Sequence, residues 1–198
     1  MGKNTPHLIQ ADKKDYLEKH LFVELQWVLY AATEWSIQNR LQLQKDGYMV
    51  QNYAMDSAFL HARTLFEFFV KQTNDNHYGV EEFLPAKLTS KSYDDWEGPL
   101  HSFLMHAQDR SKPGPLTTSS GQQKNLIQMP VEFANEILRL WQELEKQLGA
   151  SSNQTDHQLR DLARSKREEA IENAKCVVNS CVAQQHSKEK GQMLTPIF

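Results

Sequence analysis

The chain has 198 residues, a 39% hydrophobic share and a formal net charge of -3. That length buries one respectable core with room for an appended helix. The 22 basic and 25 acidic residues nearly balance. This excludes a global electrostatic pull toward nucleic acid or membrane and leaves only a local basic groove open.

Cys176 and Cys181 lack the companions and spacing of a zinc site, so both read as small apolar residues. No apolar stretch of signal-peptide length follows Met1 to His7, and Pro6 stands where a myristoylation signal needs Ser or Thr. The most apolar run, Leu21 to Ala32, is too short to span a bilayer and is broken by Glu24 and Gln26. A cytoplasmic protein without membrane contact is expected.

Helix signals follow one another along the chain. The first helix is expected from Asp12 or Lys13 to about Lys45, its stripe being Leu21, Leu25, Val28, Ala32 and Trp35. Phe22, Leu29 and Tyr30 widen that apolar belt, which points to several neighbours or a second subunit. Asp46-Gly47 reads as its stop. The second helix, Val50 to Lys71, carries Met55, Phe59, Ala62, Phe66 and Phe69 inward, with Asp56, Leu60, Arg63 and Glu67 on the adjacent strip. The pattern breaks over Asn74 to Gly79, and a loop runs to Asp95 with a short turn at Val80 to Phe83.

A third helix is expected over Trp96 to Arg110, with Pro99 in its first turn. Residues Ser111 to Gln123 are turn formers and small polar residues, read as a loop. Pro130 opens a fourth helix that ends at Gly149 and turns Phe133, Ile137, Leu140, Trp141 and Leu144 inward. After a linker at Ala150 to Gln154, a fifth helix runs from about Thr155 to Ser187, capped by Asp156 or Thr155. The expected fold is therefore all-α: a four-helix up-down bundle over residues 1–149 with an additional C-terminal helix in 150–198.

Two segments place imidazole and guanidinium groups inside otherwise core-building helix: His61 to Glu67, and His106 to Arg110. His106 and Arg110 are one turn apart, with Ser102 one turn before, so the three share an edge. Such a pair suits phosphate chemistry, because an imidazole moves a proton near neutral pH and a guanidinium grips a phosphoryl group through two parallel hydrogen bonds. The bland reading places Arg110 against the helix dipole and His106 in partial packing. Arg63 and Glu67 are also one turn apart and read as an intrahelical pair. His61 lies roughly 200° around from Arg63, so the two cannot serve one site from this helix alone. Asp94, Asp95 and Glu97 read as helix-start electrostatics. The chain shows no phosphate loop, no zinc-protease motif and no nucleophile elbow, so neither a cofactor nor a metal is expected.

The segment Ala58-Phe-Leu-His-Ala-Arg-Thr-Leu-Phe-Glu-Phe-Phe69, followed by His106-Ala-Gln-Asp-Arg110, resembles small bacterial proteins of HEPN-like type, the higher eukaryote and prokaryote nucleotide-binding helical domains. The likeness spans about residues 12 to 148. It implies an all-α bundle, often dimeric, that binds RNA or a nucleotide and in many members cleaves RNA without a metal. On that basis His106 is the expected general acid or base, Arg110 the phosphate holder, and Arg63, His61 and Ser102 line the cleft. The chain departs from the family's usual order of an arginine with a histidine four to six residues downstream. The competing expectation is a non-catalytic helical interaction or assembly protein in which these residues are structural.

Overall fold

The computed structural model describes residues 8–41, 45–73, 78–105, 116–124 and 128–186, with side chains left out at 10–11, 38–41, 45–51, 99–105, 116, 124 and 177–186. The protein is all-α. Its helices are α1 (Gln10–Tyr16), α2 (Phe22–Leu41), α3 (Lys45–Val70), α4 (Lys91–Met105), α5 (Met129–Ala150) and α6 (Gln154–His186). A π turn, Leu17–Leu21, joins α1 to α2 and closes when the Phe22 amide bonds the Leu17 carbonyl. A 3-10 turn covers Val80–Glu82, as the sequence suggests. The strands β1 (Leu116–Thr117) and β2 (Gln123–Lys124) form a two-residue antiparallel ladder that sequence pattern does not reveal.

The apolar stripes fold as their spacing requires. Leu25, Val28, Ala32 and Trp35 of α2, Met55, Phe59, Ala62, Phe66 and Phe69 of α3, and Phe133, Ile137, Leu140, Trp141 and Leu144 of α5 share one buried cluster. Helix α2 packs on α3, α5 and α6, and α5 packs on α3 and α6, while α4 lies against α3. Helix α6 adds Leu159, Ala163, Ala170 and Ala174 to the same cluster. Its small side chains let the backbone come close enough for the Trp141 indole to donate to the Ala163 carbonyl at 2.9 Å. Arg167 falls on this inner stripe, and Glu145 of α5 meets it at 2.7 and 3.2 Å.

Several boundaries differ from expectation for physical reasons. Asp46-Gly47 lies in the first turn of α3, so it does not mark the stop. Helix α4 starts at Lys91 because the Ser90 hydroxyl accepts the Tyr93 amide at 3.2 Å while donating to Glu136 at 2.6 Å. Pro99 therefore sits inside α4 and leaves the Asp95 carbonyl without its helical donor. Ser119 fills that gap with its amide at 2.9 Å and its hydroxyl at 3.1 Å, clipping the ladder onto α4. Between α5 and α6 the chain turns tightly: Asn153, not Thr155 or Asp156, caps α6 by accepting the Thr155 amide at 3.0 Å. Cys176 is exposed on α6 instead of packed inside, and Cys181 lies outside the described side chains.

Candidate functional site

The two motif residues of α3 diverge, as their angular separation requires. His61 turns toward α2, where its Nδ1–H donates to Glu24 at 2.8 Å and its ring lies nearly parallel to Trp27, 5.8 Å between centroids. It therefore neither faces α4 nor stands alone in water. Arg63 turns the other way and donates through Nε to Glu67 at 3.1 Å, the intrahelical pair expected from spacing. His106 and Arg110 lie outside the described residues, and Ser102 lies on α4 with its side chain outside them.

Glu67 continues into a network whose link across to α4 sequence spacing does not show. Lys71 Nζ lies 3.1 Å from Glu67 and 3.2 Å from Glu97 of α4, and 6.0 Å from the centre of the Tyr93 ring. The Tyr93 hydroxyl donates to Glu97 at 3.2 Å. Burial alone would raise the Glu67 carboxyl, but hydrogen bonds from Lys71 and Arg63 outweigh it and hold the group below its ordinary value. Burial would lower the Lys71 ammonium, yet Glu67, Glu97 and Tyr93 hold it above its ordinary value. Burial pushes the Tyr93 phenol up to about 12 despite Lys71 beside it. At neutral pH the lysine is charged, Glu67 is ionised and the phenol is protonated. None of the three is poised to exchange a proton there. The cluster is an electrostatic tie between α3 and α4.

Beside this tie opens a groove of about 550 Å³ between the end of α3 and the start of α4, lined by Val70, Lys71, Lys87, Leu88, Tyr93 and Glu97 among others. Its lining carries Lys71 and Lys87 beside Asp94 and Glu97, so it presents no single-sign field to a phosphate. Among the described residues no cluster of three His, Cys, Asp or Glu side chains could hold a metal ion. None of their helices is long and apolar enough to cross a membrane.

The second surface lies around His61. Val23, Trp27, Tyr53 and Leu60 are large apolar side chains exposed on α2 and α3. Leu60, assigned by spacing to the strip beside the core, faces water. Helical periodicity places Tyr53 and Leu60 two turns apart on one face of α3, a signal that could have marked them beforehand.

Comparison with protein-family models, with curated proteins and with solved structures gives no match.

Proposed function

We propose that this chain is a helical assembly protein acting in the cytoplasm, one that pairs with a second copy of itself and uses its His and Arg motif residues to fix helix positions. The observation that carries this reading is the use of His61 and Arg63. Each is committed to its own tie, one with Glu24 and Trp27 and the other with Glu67, on separate faces of α3. Pairs of this kind specify packing more often than chemistry. The apolar surface beside His61 supplies what an assembly protein needs.

A second reading, a HEPN-like protein that binds RNA or a nucleotide and cleaves RNA without a metal, is supported by the likeness of residues 58–69 and 106–110 to that family. In it His106 moves the proton, Arg110 holds the phosphate, and Arg63, with a quarter of its side chain in solvent, adds positive charge.

One experiment separates the two: RNA binding and cleavage by the purified chain, beside its His106→Ala and Arg110→Ala variants. The assembly reading expects no cleavage and no RNA affinity that either variant changes. Cleavage lost in both variants with the fold intact would overturn it in favour of the ribonuclease.

A further inference from the structure

We propose that the groove between the end of α3 and the start of α4 binds a small zwitterion with an apolar body, a free amino acid or a dipeptide. Such a site stands whether or not the chain pairs with itself. Part of the groove's charge is already spent. Lys71 meets Glu67 and Glu97 at 3.1 and 3.2 Å, and Arg63 meets Glu67, so the two cations and two carboxylates of the tie offset one another. Lys87 and Asp94 line the same groove and are exposed. Among the described residues neither of their side chains has an ion-pair or hydrogen-bond partner, and they do not pair with each other.

The backbone nevertheless holds both in place. The Leu88 amide donates to the Phe69 carbonyl at 2.9 Å, which pins Lys87 beside the end of α3. The Asp94 amide donates to the Ser90 carbonyl at 3.1 Å, and the Ser90 hydroxyl is itself fixed on Glu136. Positions set in advance lower the ordering cost of binding. Charge decides the class of ligand. A lone anion at Lys87 would share the groove with Asp94 and Glu97, and a lone cation at Asp94 would share it with Lys87 and Lys71. A molecule carrying one charge of each sign satisfies both unspent groups and offends neither. Its body meets Val70, Leu88 and Tyr93, core residues that also line the groove. The volume of about 550 Å³ falls within the range of small-molecule sites, roughly 300–1,000 Å³.

Titration of the isotope-labelled full chain, followed by amide NMR shifts, tests this. The probes are L-phenylalanine and L-leucyl-L-leucine, which separate the free amino acid from the dipeptide. Phenylethylamine lacks the carboxylate and phenylpropionate lacks the ammonium, so they serve as controls. The expected result is saturable shifts at Lys71 and from Lys87 to Asp94 with one or both zwitterions, and binding of each control weaker by at least about tenfold. Lys87→Gln and Asp94→Asn, both at exposed positions, should each weaken the zwitterion by a similar factor. The first should not weaken phenylethylamine and the second should not weaken phenylpropionate, a crossed pattern that a damaged fold would not give. Failure of both zwitterions to saturate, or binding that neither substitution changes, would overturn the site. A control that binds as well as phenylalanine would overturn the zwitterion as its ligand.

Discussion

Gly79 shows how one atom can decide a loop. Its amide donates to the Thr73 hydroxyl at 2.9 Å, and the Thr73 amide donates in turn to Glu81 at 2.9 Å. A Cβ at position 79 would lie 2.9 Å from the Lys71 carbonyl oxygen and 3.0 Å from Thr73 Oγ1. Neither can retreat without loosening the turn that follows α3. Gly79→Ala should therefore cost about 1–3 kcal/mol, measured by urea unfolding, as overpacking at a rigid site does. Gly98, beside which an added Cβ meets nothing, is the control. The sequence marks Gly79 as the end of a break in pattern, but the close backbone approach that requires glycine there is a property of the folded turn. His61 teaches the same lesson. Its angle from Arg63 is readable from helical geometry, whereas its partner, Glu24, lies 37 residues away and is set only by how α2 and α3 pack.

At the scale of elements, the strongest constraint is the seam between α5 and α6. Glu145 and Arg167 meet through two hydrogen bonds, with side chains only 7% and 16% exposed. Removing one partner leaves the other charge in a nearly dry seam, so Glu145→Ala should destabilise by about 3 kcal/mol or more. Replacing both with leucine should recover most of that loss, since apolar packing also satisfies the seam. A chemical-denaturation cycle over the single and double variants checks this, and additive losses would sink it. A charged residue interrupting the inner stripe of α6 is visible in the sequence, and so is the tendency of that helix to fold back. Which acidic residue answers it is not. The Pro99 clip belongs here too. The missing amide can be read from the residue type, while its replacement by Ser119 depends on a chain reversal 20 residues later.

For the whole molecule, the carboxylates that tie helices together set the acid limit of stability. Glu136 joins Ser90 at the start of α4 to Arg139 on α5, and Arg139 also donates to the Thr89 carbonyl at 3.1 Å. Burial would raise the Glu136 carboxyl, but Arg139 and Ser90 hold it below its ordinary value of 4.5, as Lys71 and Arg63 do for Glu67. A carboxyl with a depressed folded value binds its proton more readily in the unfolded chain. Its contribution is complete above about pH 4.5 and is lost as pH falls through the folded value. The urea midpoint should thus stay level from neutral pH to about 5 and drop below 4.5, and Glu136→Gln should make that drop shallower. An unchanged acid limb in the variant would contradict the assignment.

The sequence by itself determined that the protein is all-helical and which stripes of α2, α3 and α5 turn into its core. Periodicity is local, and a buried stripe at three- and four-residue spacing has one way to satisfy itself. The absence of phosphate-loop, zinc-protease and nucleophile-elbow motifs was equally local. The tertiary structure decided where each stripe found its neighbour: α6 inside the core, α4 begun at Ser90, His61 held against α2, and Arg63 tied into a network reaching α4. Those outcomes depend on distances between residues far apart in the chain. No window of sequence carries them, because the energy of an ion pair or a ring stack exists only once the backbone has brought its partners together.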